Sequence, residues 1–193
     1  MTKVSDRLNK LSESATLAMA RMSRELRAEG KDVIALSLGE PDFDTPDFIK
    51  QSAKNAIDNN FSHYTPVPGL LDLRQAICNK FNRDNKLDFN PDQIVVSTGA
   101  KQSIANVCLS ILNPGDEVLL PAPFWVSYAD IINLAEGIPI QISSSVENDF
   151  KVTPSQIEEK ITDKTKLLMF SSPCNPSGSV YTKEELTDIA IML

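Results

Sequence analysis

Between residues 94 and 170 the chain alternates apolar runs of strand length with segments at helical spacing, and this alternation restricts the fold more than any other feature. "QIVVSTGA" reads as a strand ending in a turn, and "KQSIANVCLSIL" as the helix after it. "NPGD" is a turn, "EVLL" a short buried strand, and "APFWVSYADIINLAEG" a loop leading into a helix. "IPIQI" is a strand, "TPSQIEEKI" a helix opened by Thr153 and Pro154, and "TKLLMF" a further strand. Strands alternating with helices predict an α/β fold: a mostly parallel sheet, helices on both faces, joined by right-handed crossovers.

The preceding part is more helical. Residues 5 to 29 carry apolar side chains at helical spacing, and Gly30 stops that helix. "DVIALSLGEPDFDTP" predicts a short strand and a loop rich in Pro, Asp and Gly. Helices are expected over 46–59 and 70–84, with the loop "FSHYTPVPG" between them. At the other end, "YTKEELTDIAIML" sets Thr182 three residues before Glu185, a capping box that starts a helix. That helix runs into Leu193 on an apolar face without a stop signal, so truncation by design or proteolysis is expected. There is no internal repeat and no low-complexity linker.

A chain of 193 residues can bury a sizeable core. Its net charge of -7, with no basic stripe, argues against binding a nucleic-acid backbone. The three cysteines, Cys78, Cys108 and Cys174, are far apart and odd in number, and the single histidine makes a metal site a poor expectation. Reduced thiols in a cytosolic protein are the better reading. The first 26 residues lack the apolar core of a signal peptide, and no apolar run reaches membrane-spanning length. A soluble, cytoplasmic protein is expected.

In open α/β sheets, ligands bind at the carboxyl ends of strands, and three motifs fall there. In "STGAKQ", Gly99 and Ala100 are small enough for backbone N–H groups to meet an anion at a helix N-terminus. The alternative is a tight turn capped by Ser97 or Thr98. In "PAPFW", prolines orient the only tryptophan, Trp125, which suits stacking on a planar ligand; the alternative is a core tryptophan. In "SSPCNPSG", prolines restrain Asn175, whose amide can orient a hydroxyl or phenolate; the alternative is a rigid turn. Gly39 stands where a backbone N–H meets a carboxylate. Its neighbours Glu40, Asp42 and Asp44 are read first as a solvated turn and second as an acid–base pair. His63 is read as a surface or packing residue beside Tyr64.

Taken in order, "SLGEPDFDTP", "YTPVPGLLDLR", "STGAKQ", "NPGDEVLLPAPFWVSY" and "NPSGSVYTKEEL" resemble the class I aminotransferases that use pyridoxal 5'-phosphate, and most of all their bacterial aspartate aminotransferase branch. The resemblance runs from about residue 5 to the last residue. It implies the large domain of a fold-type I pyridoxal-phosphate enzyme, incomplete, over 46–193, and an N-terminal arm with a small-domain segment over 1–45. It implies that the backbone amides of Gly99, Ala100 and Lys101 grip the cofactor phosphate, which Tyr64 reaches across a homodimer interface. Trp125 would stack on the pyridine ring, and Asn175 would hydrogen-bond its phenolic oxygen. Gly39 would bind the substrate α-carboxylate through its backbone, with Trp125 and Asn175 lining that site. The peptide bonds Ala122–Pro123 and Asn175–Pro176 become candidates for the cis form.

The family's Schiff-base lysine, the aspartate facing its pyridine nitrogen and its carboxylate-binding arginine match nothing in this sequence. They are expected beyond Leu193, and Lys101 is not that lysine by motif. The implied activity is transfer of an amino group between an L-amino acid, aspartate or a related one, and a 2-oxo acid, and residues 1–193 alone are expected to be inactive. Two alternatives stand beside it. One is another enzyme of the same fold, a lyase, decarboxylase or synthase. The other is a non-catalytic pyridoxal-phosphate-binding regulatory module, which the lack of a basic DNA-binding segment disfavours.

Overall fold

The computed structural model describes residues 4–11, 15–36, 39 and 41–193. The chain divides into two compact units, residues 1–35 with 101–193, and Leu36–Ala100.

In the first unit, helices α1 (Asp6–Asn9) and α2 (Ala15–Ala28) replace the single helix expected over 5–29; residues 12–14 lie outside the described residues. Gly30 follows α2 at φ +82°, a conformation that spares a β-carbon penalty. Its N–H donates to the Arg27 carbonyl at 2.9 Å, and that of Lys31 to Leu26 at 3.1 Å, satisfying carbonyls the helix end leaves open.

The core is a parallel three-stranded sheet in the order β2-β1-β3, formed by β1 (Glu117–Pro121), β2 (Ile138–Ile142) and β3 (Thr165–Leu168). Glu117 pairs with Ile138 and Pro121 with Ile142, while a bulge at Glu117/Val118 shifts the register against β3. Successive residues of the central strand point to opposite faces. Val118 and Leu120 pack with Cys108 and Leu112, from α5 (Ala100–Ile111) and its end, and with Ile131 and Ile132 of α6 (Ser127–Leu134). Leu119 packs the other way, on Ile142, Ile157 of α7 (Pro154–Glu158) and Ile189 of α8 (Lys183–Met192). Val118, Leu119 and Leu120 are each 0 % exposed, and each such side chain contributes about 1.5–3 kcal/mol by leaving water. The expected arrangement, with helices on both faces, is observed. Both expected helix starts also hold. Thr153 caps α7 with Gln156 answering, and Thr182 caps α8 with Glu185 answering.

The second unit contains α3 (Asp47–Asp58) and α4 (Leu71–Lys80), the latter continued by a wider turn of π-helix over Phe81–Asn85. The segments "QIVV" and "DVIAL", expected as strands, pair with no strand among the described residues of 1–193. Val96 N–H donates instead to the Pro68 carbonyl at 2.9 Å, and Ile34 and Leu36 are 84 % and 90 % exposed. Strand propensity describes a fit to a pleated, half-buried surface, and neither segment meets one. The hub is Arg74, which donates to the carbonyls of Gly69 (3.2 Å) and Pro91 (2.7 Å) and lies 3.6 Å from Asp92. Among the described residues, no helix is long and apolar enough to cross a membrane.

Candidate functional site

The loops leaving β1 and β3 depart to opposite faces of the sheet. β1 leads to α6 on the Val118/Leu120 face, and β3 leads toward α8 on the Leu119 face. Because β1 and β3 are adjacent and parallel, a crevice opens between their carboxyl ends, the switch point where open α/β sheets bind ligands. Trp125 lies on the first of these loops and Asn175 on the second.

The first loop is tied to the sheet by Ala122, whose N–H donates to the Ile142 carbonyl at 2.9 Å and whose carbonyl accepts from Ser144 Oγ. Ala122–Pro123 is cis, and Asn175–Pro176 is cis as well; Ser172–Pro173 is a third cis bond, not anticipated from the sequence. Trp125 is half-buried, its ring edge-on to Tyr128 with centroids 5.5 Å apart at 87°. Lys101 Nζ stands 4.8 Å from the centroid of the indole, within cation–π range. Trp125 is therefore neither a core tryptophan nor a free one: its ring is oriented by a buried tyrosine and carries a cation on its face.

On the second loop Asn175 is exposed, and its N–H donates to Ser171 Oγ at 3.3 Å. Cys174 Sγ donates to the Pro123 carbonyl at 3.3 Å, so the two loops lie side by side. Beneath them Pro121, Phe124, Phe170 and Tyr181 line a space of about 10 Å³, hardly room for one water. The crevice floor is packed, and a ligand would lie above it.

In the second unit, Gly99 takes φ +95° with open space around a would-be β-carbon, and its N–H donates to the Ser97 carbonyl at 2.9 Å. Ala100 and Lys101 then open α5, where backbone N–H groups have no preceding carbonyl to bond. Tyr64 is fully exposed, and Gly39 is exposed with nothing within 4 Å of a would-be β-carbon. Glu40 lies outside the described residues, while Asp42, Asp44 and His63 are exposed. The structure thus brings Trp125, Lys101 and Asn175's loop together within the first unit, and presents Gly39, Tyr64, Gly99 and Ala100 on the other.

Three groups around the Asn175 loop titrate away from their ordinary range. Burial pushes the Tyr181 phenol up. The Thr182 backbone N–H, and then Lys151, hold the Glu185 carboxyl down. Its ion pair with Glu185 pushes Lys151 up. Sequence reasoning missed Cys174, Lys151 and Tyr181. The capping box at Thr182 disclosed Glu185, but its partner Lys151 lies 34 residues away, a pairing that no local pattern carries.

Taken unit by unit, these groups are of kinds that a planar, anionic, phenolic cofactor uses. An oriented indole, an exposed amide and a glycine with room around it at a helix start are each of the chemistry such a molecule needs.

Known proteins resemble the chain over its whole length. The aspartate/prephenate aminotransferase of Cereibacter sphaeroides is 49 % identical over 193 residues, which is 100 % of this chain and 48 % of that protein. Solved structures of the Rhizobium meliloti aspartate aminotransferase (TM-score 0.95, 38 % identity) and of the Thermus thermophilus aspartate aminotransferase with maleate (TM-score 0.95, 39 % identity) each match 100 % of the chain. The match covers 48 % and 50 % of those two chains, so this chain spans about half the length of its relatives. The family model for aminotransferase class I and II matches residues 31–192, and the chain belongs to that family.

Proposed function

We propose that residues 1–193 are the N-terminal part of a pyridoxal-phosphate-dependent transaminase that moves an amino group between an L-amino acid, aspartate or a related one, and a 2-oxo acid. The observation that carries this reading is the crevice between the carboxyl ends of β1 and β3, with Trp125 and Asn175 on its two adjoining loops. Bound pyridoxal phosphate would supply the electron sink that makes the substrate's Cα proton acidic. The chain's own residues would position it: Trp125 against the ring face, Asn175 toward the phenolic oxygen, and the N–H groups of Ala100 and Lys101, with Gly99, toward the phosphate. Tyr64 would reach that phosphate from the other subunit of a homodimer, and Gly39 would hold the substrate α-carboxylate.

Lys101 adds a charge at the indole face, which favours substrates with a second carboxylate. Aspartate and prephenate, named for the Cereibacter sphaeroides relative, both have two. The covalent anchor for the cofactor is assigned to a lysine outside residues 1–193, and the whole protein to amino-acid biosynthesis in the cytoplasm.

The test is spectroscopic. The full-length protein loaded with pyridoxal phosphate should change its visible absorption on adding aspartate or glutamate and return to the starting spectrum with a 2-oxo acid. No change with acidic or aromatic amino acids would refute transamination. Residues 1–193 alone, reduced with borohydride in the presence of pyridoxal phosphate, should show no preferred adduct at Lys101 by peptide mass spectrometry.

A further inference from the structure

An exposed amide can orient a ligand only if the loop that carries it is held. Within the Asn175 loop, Cys174 N–H donates to the Ser179 carbonyl at 2.8 Å and Gly178 N–H to the Cys174 carbonyl at 2.7 Å. These bonds shape the turn without attaching it to the fold. Attachment at the tip comes from Cys174 on the Pro123 carbonyl, and at the base from the residue that ends the loop. Tyr181 N–H donates to Ser172 Oγ at 3.0 Å, closing the base of the loop. Its hydroxyl accepts from Val152 N–H at 2.9 Å, and its ring meets Phe170 edge-on with centroids 5.2 Å apart. Tyr181 and Val152 are 8 % and 4 % exposed, so water cannot readily replace that hydroxyl as acceptor.

The strand-to-helix turn that presents Val152 is itself fastened. Lys151, its side chain 16 % exposed, lies 3.0 Å from Glu185 and 3.7 Å from Asp149. Asp149 Oδ1 accepts from Ser179 Oγ at 3.3 Å, a second link to the loop. Asp149 and Phe150 adopt φ +52° and +53°, unfavourable for residues with a β-carbon, and Phe150 lines the same packed floor as Tyr181. Backbone strain of this kind persists where the surroundings over-determine it.

We propose that Tyr181 is a positioning residue, a clasp across the base of the Ser171–Val180 loop. It holds Asn175 and, through Cys174 and the Pro123 carbonyl, keeps that loop in register with the loop of Trp125. The role rests on Asn175 and Trp125 being cofactor contacts, but the clasp itself has a readout that needs no cofactor.

Tyr181→Phe keeps the ring and the backbone and deletes only the hydroxyl. Hydrogen–deuterium exchange of the whole chain should then show the amides of Cys174, Asn175, Ser177 and Gly178 exchanging about tenfold faster, with α6 unchanged. The second readout is quenching of the sole tryptophan by pyridoxamine phosphate, which has no aldehyde to react with lysines. Its dissociation constant should rise about five- to tenfold in Tyr181→Phe. Ile157→Val, which trims the same core cluster on α7, should leave that constant unchanged. Unchanged exchange in the loop overturns the clasp, and so does an equal rise throughout α6 and the sheet. A local rise with an unaltered dissociation constant, or an equal loss of affinity in Ile157→Val, removes the positioning role. If pyridoxamine phosphate does not quench the unaltered chain, residues 1–193 do not hold the cofactor without the rest of the protein, and the exchange result alone decides the clasp.

Discussion

Trp125 and Asn175 each sit one loop away from strands packed into a core where Val118, Leu119, Leu120, Ile132 and Ile157 are 0 % exposed. In Leu36–Ala100, by contrast, only Arg74, Cys78 and Ile94 are buried among the described residues, while Phe48, Ile57, Phe61 and Val67 are at least 73 % exposed. In the first unit these two residues inherit their position from strands that exclude water. In the second, the backbone at Gly69, Val96 and Gly99 is shaped by turn hydrogen bonds, and Arg74 ties the Gly69 and Pro91 carbonyls together. Rigidity therefore has different origins in the two units: burial of apolar area in one, local geometry and directed hydrogen bonds in the other.

The contrast predicts where substitutions act, and the largest effect belongs to the sheet. Leu119→Ala should lower the stability of the first unit by about 3–5 kcal/mol, measured by urea unfolding with Trp125 fluorescence as the probe. A loss below 1 kcal/mol would mean that the sheet is not the core. Gly69→Ala attacks the second unit through geometry. At φ +102° the new β-carbon would lie 2.7 Å from Val96 Cγ2, so a loss of about 2–3 kcal/mol is expected. Faster amide exchange should appear within Leu36–Ala100; faster exchange confined to the sheet would break the comparison.

Glu185→Gln tests the fastening of the first unit electrostatically. The folded carboxyl titrates below its ordinary value of 4.5, so its contribution is present above that pH and is lost as pH falls through the depressed folded value. The difference in melting temperature between Glu185→Gln and the unaltered chain should hold at neutral pH and shrink below about pH 4.5; a difference that grows on acidification would contradict the assignment. The smallest effect is expected at Ile57, 76 % exposed, where Ile57→Ala should change stability by less than about 0.5 kcal/mol in thermal melts at low protein concentration. A larger, concentration-dependent loss would show that this side chain is covered in an assembly.

Local pattern was enough to read the segments marked by side-chain type at short range. β1, β2 and β3, the helix stop at Gly30 and the capping boxes at Thr153 and Thr182 all follow from side-chain type at fixed short spacing. The segments "QIVV" and "DVIAL", expected as strands, pair with no strand among the described residues for the complementary reason. β-branched residues favour extended backbone, but a strand exists only where another strand accepts its hydrogen bonds. Asn175 and Trp125 were legible as candidates because prolines flank them, and the resemblance of the motifs in sequence order assigned them a joint task.

What the sequence determined by itself is the alternation of elements, their starts and stops, and the family, because these depend on spacing within about a dozen residues or on the order of motifs. Tertiary structure alone decided which strands are neighbours and that the loops of β1 and β3 meet. It also decided that Lys101 rests on Trp125, Cys174 on Pro123 and Tyr181 on Val152. These contacts join residues 24 to 51 positions apart, where no local periodicity extends; that of Cys174 with Pro123 exists because the sheet brings the carboxyl ends of β1 and β3 together.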